Sequence, residues 1–205
     1  MITDNDIKIE VAGPENLRNA ALFVREQVFV KEEGIPKDME FDGNDGAAVH
    51  IIAYIQKQEN IIPVGTMRIR SFAGFVRFER MAVMRDFRKT DVSEAIMQYG
   101  FNYVAQKGYR KVGSYCKKEL LPRWQRSGFY VDEAQKTVDH NGMKLIPICR
   151  DLPPNPRALT MNSDPYLLIA KEGHWFDDAP EIKQPSKPNT ILTQLEELKK
   201  KCFNR

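Results

Sequence analysis

Three groups of residues in this chain of 205 have the types and spacing to do chemistry. The first is cationic. Arg85, Arg88 and Lys89 lie in a short loop between an apolar stretch, Phe78 to Met84, and a segment with apolar residues at Val92, Ala95, Ile96, Tyr99, Tyr103 and Val104. That spacing is helical. Cations just before a helix N-terminus, where backbone N–H groups are free and the dipole is positive, make an anion site. Asp91, with Glu94 three residues on, is the start signal of a capping box. The second group is acidic: Glu40, Asp42 and Asp45 in a polar loop over residues 31–46, followed by His50. Such a loop either draws in a cationic amine or is simply solvated, and His50 is either a site residue or a structural one. The third group is Glu79 with Tyr115 and Cys116, a carboxylate that suits a general base and a phenol or thiol that suits an acid. Alternation puts Glu79 on the strand face opposite Phe78 and Arg80, and lets only one of Tyr115 and Cys116 face the site. Glu79 paired with Arg77 or Arg80 on the surface is the equally open alternative. His50, His140 and His174 are too far apart for ligand spacing, so no metal is expected.

The elements that must carry these groups follow from periodicity and punctuation. Ile7 to Val11 alternates like a strand, and Leu17, Ala20, Ala21, Val24 and Val28 mark an amphipathic helix that Val28-Phe29-Val30 should end. Strands are expected at 49–55, 61–69 (with Gly65 at a bulge) and 76–84. The long helix from near Asp91 stops at Lys107-Gly108. A strand at 111–116, a short helix at 120–126 closed by Gly128, a strand from Phe129 and a hairpin turning at 139–142 into a last strand complete the order β-α-β-β-β-α-β-α-β-β. The predicted fold class is α/β (α+β): a mixed, mostly antiparallel sheet with flanking helices and one crossover through the long helix. A domain over 1–150 is expected. After Asp151 the composition shifts, and prolines at 153, 154 and 156 open a C-terminal extension over 151–205. In it, Tyr166 to Ala170 suits a strand, and Tyr166, Trp175 and Phe176 suit packing against the domain. Residues 190–201 suit a charged helix, either docked or available to a partner such as a second copy of the chain.

Composition bounds the function classes. Apolar residues make up 42% and charged residues 29%, ordinary for a globular chain. A net charge of +3 with scattered basic residues does not point to nucleic acid. Three widely spaced cysteines, without a CxxC pair, predict a reducing compartment and no disulfide framework. No apolar run is long enough to span a membrane and the first residues lack a signal core, so a cytoplasmic location is expected.

Three segments, in order, resemble the GCN5-related N-acetyltransferase superfamily over about residues 7–150. They are VREQVFVKEEGIP (Val24 to Pro36), with the acidic residues and His50 after it; PVGTMRIR with FERMAVMRDFR (Pro63 to Arg88); and WQRSGF (Trp124 to Phe129), similar to the family's closing YERLGF. The resemblance implies a central strand splayed from its neighbour and an acyl-CoA site. The pantetheine arm would pair with Met81, Ala82 and Val83. The pyrophosphate would sit on Arg88, Lys89, Thr90, Asp91, Val92 and Ser93. Glu79 would be the base, Tyr115 or Cys116 the acid, and Glu40, Asp42 and His50 would meet a small amine substrate. Two departures stand out. Asp91 and Ser93 replace the loop's glycines, and Trp124 replaces the usual tyrosine acid. Relatives that take their acyl group from acyl carrier protein, such as N-acyl amino acid synthases, also lack the glycines and give the alternative donor. A lapsed domain that only binds a ligand or partner is the third reading.

Overall fold

The computed structural model describes residues 7–140 and 142–176. Its first compact unit ends at Gly173, so residues 151–173 belong to that unit. The helix expected at 190–201 lies outside the described residues.

Eight strands form one sheet: β1 (Ile7–Val11), β2 (Val49–Lys57), β3 (Asn60–Phe72), β4 (Phe75–Val83), β5 (Lys111–Lys117), β6 (Tyr130–Val131), β7 (Val138–His140) and β8 (Met143–Asp151). The order across the sheet is β1-β2-β3-β4-β5-β8-β6, with β7 also on β8. All neighbours are antiparallel except β4 and β5, which are joined by the crossover helix α3 (Val92–Gln106). The mixed, largely antiparallel sheet is the one the sequence predicts.

Helix α1 (Glu15–Arg25) covers one face. Leu17, Ala21, Val24 and Val28 pack on Ile52, Tyr54 and Ala82. The helix does not end at Val28-Phe29-Val30 as predicted: it continues as a π-helix, Glu26–Glu32, and Gly34 turns the chain at φ +72°. Helix α3 covers the other face. Its Gly100 lets the backbone come down onto Met67 and Phe78, and Phe101 packs between Phe78 and Phe129 at 5.3 and 5.8 Å. The short helices α2 (Lys37–Glu40), α4 (Leu121–Arg126) and α5 (Pro165–Leu168) complete the described residues. The strand predicted over 166–170 is instead the turn of α5, started by Pro165 and capped by the Asp164 carboxylate on the Tyr166 N–H. Tyr166 is exposed there and does not pack.

Candidate active site

Two features of β4 build the site. Its pairing with β5 is limited to Val76 with Val112 and Arg77 with Gly113. Beyond these the strands part, tied by the Ser114 hydroxyl donating to the Phe78 carbonyl at 2.7 Å. The β5-facing edge of Met81, Ala82 and Val83 is thus open, and a cavity of about 170 Å³ fills the wedge. Glu79, Arg80, Met81, Cys116, Trp124 and His140 are among its walls. The second feature is a β-bulge. Glu79 pairs with Arg68 and Ala82 with Thr66, so Arg80 and Met81 together face Met67. Arg80 takes φ +52°, unusual for a residue with a side chain. The extra residue shifts the alternation, so that Ala82 packs under α1 and Glu79 reaches the same side toward Arg68.

The acidic residues of the loop are tied down by arginines. Arg25 and Arg68, 0% and 1% exposed, anchor it. Arg25 donates to Glu40 and to Asp45, each at 2.6 Å. Arg68 grips both oxygens of Asp42 at 2.7 and 2.8 Å, reaches Asp45 at 3.0 Å, and donates to one oxygen of Glu79 at 3.1 and 2.7 Å. Arg80 pairs with Glu40 at 2.8 Å. Glu40 and Asp42, expected from the sequence to meet an amine substrate, thus carry their charge against three guanidinium groups. Arg68 hydrogen bonds hold the Asp42 carboxyl well below the usual carboxylate range. Burial raises Asp45, but Arg25 and Arg68 outweigh it and the net direction is down. His50, also expected at the substrate, is a buried neighbour of this network. Its Nε2 lies 3.6 Å from Asp45, and burial, then the Arg25 charge, lowers its pKa to about 4. Sequence reasoning passed over Arg25 and Arg68. The available signal was an arginine between apolar neighbours, Met67 and Ile69, in a strand that must be buried.

At the loop before α3, Arg88 donates to the Val83 carbonyl at 3.0 Å and to both oxygens of Glu32. Lys89 and Asp91 are exposed. Asp91 does not cap the helix, contrary to the capping-box reading. The Thr90 hydroxyl instead donates to Phe87 and accepts, at 3.4 Å, from the Val92 N–H. Asp91 has φ −81°, a conformation open to any residue, so losing the glycine does not distort the loop. Ser93 starts the helix and accepts from Arg123 of α4, a cation at the helix start that the sequence did not flag.

Both acid candidates line the wedge cavity. The Tyr115 hydroxyl donates to Gln135 at 3.1 Å and its ring lies under Arg77, on the wall shared with the wedge cavity. Cys116 is buried, and burial, then Glu119, pushes its thiol up. Trp124 stands edge-on to Phe129 at 4.9 Å.

No sequence-family profile matches the chain. A Bacillus subtilis protein named as an acetyltransferase is 30% identical over 128 residues, 61% of this chain and 80% of that one. The chain belongs to the GCN5-related N-acetyltransferase superfamily. It is thereby an enzyme of the acyltransferase type. The N-acetyltransferase YjcF of the same organism, itself uncharacterised, is 28% identical over 133 residues, 65% of this chain and 92% of that one. Among solved structures, an N-acetyltransferase from Lactobacillus plantarum superposes with TM-score 0.66 at 23% identity, covering 72% of this chain and 99% of its own. A family acetyltransferase from Elizabethkingia anophelis with acetyl-CoA bound gives 0.52 at 14% identity, over 73% of this chain and all of its own. These two likenesses speak for the acetyltransferase fold.

Proposed function

We propose that this acetyltransferase-family enzyme moves an acyl group, acetyl first, from a CoA thioester to the amine of a small molecule by direct attack in a ternary complex. The observation that carries the reading is the open β4 edge at Met81, Ala82 and Val83, which leads through residues 84–91 into the start of α3. The edge offers backbone groups to a pantetheine amide. The helix start offers its N–H groups and dipole to a diphosphate, and Arg88, Lys89 and Arg123 flank it. Thr90, Val92 and Ser93 supply the backbone of that cradle. Asp91 turns its carboxylate to solvent.

In the reaction the amine nitrogen bonds to the thioester carbonyl carbon and the C–S bond breaks. The amine proton leaves through water to Glu79. Open-edge N–H groups meet the oxyanion. Trp124 has no acidic hydrogen to give at neutral pH and the Tyr115 hydroxyl is held by Gln135, so the departing thiolate takes its proton from water. The cavity volume of about 170 Å³ suits a short acyl chain and a compact acceptor. Of the basic side chains that would greet an acidic carrier protein, Arg85, Arg88 and Lys117 are already paired with Glu32 or Glu33. Arg88 serves the diphosphate cradle as well, so these pairings weigh on both donors, and CoA stands first on the open edge and helix start alone. Isothermal titration with acetyl-CoA tests this. Micromolar binding is expected; no binding to any CoA ester, with association to an acylated carrier protein, would replace the donor, and silence with both would leave a lapsed domain.

A further inference from the structure

A second cleft, of about 300 Å³, opens beside the first. The two share Ser114 and Tyr115 as walls. Arg77 lines the second, and its Nε lies 3.4 Å from Glu79, which lines the first. The guanidinium lies 4.5 Å from the Tyr115 ring centre, so its flat face is held while its N–H edge stays available. Beyond the long contact with Glu79, Arg77 makes no hydrogen bond among the described residues. Gly113 keeps space beside it: a Cβ there would meet nothing nearer than the Val76 carbonyl at 3.9 Å. Lys111 adds a second cation, tied only by an exposed 3.7 Å pair with Asp151. Phe72 and Phe75 also line it, stacked at 5.0 Å with their planes 8° apart, and Arg70 lies over Phe72 at 5.1 Å, so Phe75 is the ring left to meet a guest. The cleft's acid, Asp132, already accepts from Gln135 and the Ala134 N–H.

The chemistry that fits is a carboxylate on a flat apolar body. An arginine with its outer N–H edge unoccupied binds a carboxylate through two parallel N–H bonds, and an apolar aromatic wall takes an aromatic group. Because the fork adjoins Glu79, the carboxylate must sit next to the amine that Glu79 would deprotonate. We propose that this cleft holds the carboxylate and side chain of the acceptor, and that the acceptor class is an α-amino acid with an aromatic side chain. The inference rests on the acyl-transfer reading above.

The test compares phenylalanine with phenylalaninamide as acceptors of acetyl-CoA, following CoA release, in the full chain and in Arg77→Ala and Arg77→Lys. In the unaltered protein phenylalanine should exceed its amide by roughly tenfold or more in kcat/KM, the worth of one bidentate charge-assisted contact. Arg77→Ala should collapse that ratio through KM, and Arg77→Lys should restore only part of it. Equal use of acid and amide, or an equal loss on both in Arg77→Ala, overturns the proposal. Binding of N-acetylphenylalanine without CoA, measured by calorimetry, separates this cleft from the donor site. Binding lost in Arg77→Ala supports the cleft even where acetyl-CoA does not bind, and absence of binding in the unaltered protein overturns it.

Discussion

Arg88 and Glu32 form a two-pronged ion pair, at 2.5 and 2.7 Å, between the anion loop and the end of the first helix. The Arg88 hydrogen bond draws the Glu32 carboxyl down to about 2. The cation that the sequence assigns to a diphosphate is therefore already engaged, and a diphosphate must compete with Glu32 for it. Removing Glu32's charge with Glu32→Gln should tighten acetyl-CoA binding, while Arg88→Ala should weaken it by roughly tenfold, the loss of a charge-assisted hydrogen bond. Calorimetric titration of both variants checks this. Unchanged affinity in Arg88→Ala would remove the phosphate assignment.

Glu79 is held by Arg68 on one oxygen, and its other oxygen lies 3.4 Å from Arg77 and 3.7 Å from Arg70. If it takes the amine proton, Glu79→Gln should lower kcat by roughly 10²-fold or more, the usual worth of a positioned base, with little change in donor affinity. Single-turnover rates set beside acetyl-CoA titrations distinguish the two effects. An undiminished rate would retire Glu79 as the base.

Arg68 is a separate matter of stability. It is 1% exposed and serves Asp42, Asp45 and Glu79 together. Arg68→Met should cost about 3–5 kcal/mol, because it strands buried carboxylates. Urea unfolding measures the loss, and a cost near zero would mean that these carboxylates find water instead.

His50 makes stability depend on pH. Its folded pKa, lowered to about 4 by burial and then by Arg25, lies below the ordinary 6.5. The unfolded chain therefore binds the proton more readily, and stability present above pH 6.5 drains away as pH falls toward 4. The loss should reach up to about 3 kcal/mol. His50→Gln should flatten that slope in urea unfolding at pH 7, 5.5 and 4.5 (all approximate settings on the linkage curve). Asp42 and Asp45, both held low, add a further loss only at more acid pH. An identical slope in His50→Gln would assign the effect to other groups.

Gly65 sits where β3 backs the open strand. A Cβ there would lie 2.9 Å from Ile96 and 3.1 Å from the Ala82 carbonyl. Gly65→Ala should cost about 1–3 kcal/mol through overpacking. It should also weaken acetyl-CoA binding, because the displaced carbonyl belongs to the strand proposed to meet the pantetheine. Thermal unfolding and titration of the same variant read the two effects. A stable variant with weak binding would localise the strain to β4.

Much of this was legible in the chain. Apolar spacing at Leu17, Ala21, Val24 and Val28 gave α1 its buried stripe, and Val92 to Gln106 formed the predicted crossover helix with glycine at its end. Local patterns of this kind survive because each depends on neighbours within a few residues. The bulge at Arg80 did not show itself. Strict alternation placed Glu79 and Ala82 on opposite faces, and one extra residue against Met67 put them on the same one. Likewise the acidic loop looked like a lure for a cation only because Arg25 and Arg68, 15 to 26 residues away in the chain, were invisible as its partners.

The sequence by itself determined most of the order of strands and helices up to Asp151, because periodicity and turn chemistry are written in short range, and the three segments that resemble the superfamily pointed to the family. Only the tertiary structure decided which charges are free. Pairing across a sheet joins residues remote in the chain, and burial makes each pairing matter. So it was the fold that spent Glu40 and Asp42 on arginines, turned Tyr115 toward Gln135, tied Arg88 to Glu32, and left Arg77 with its edge toward an open cleft.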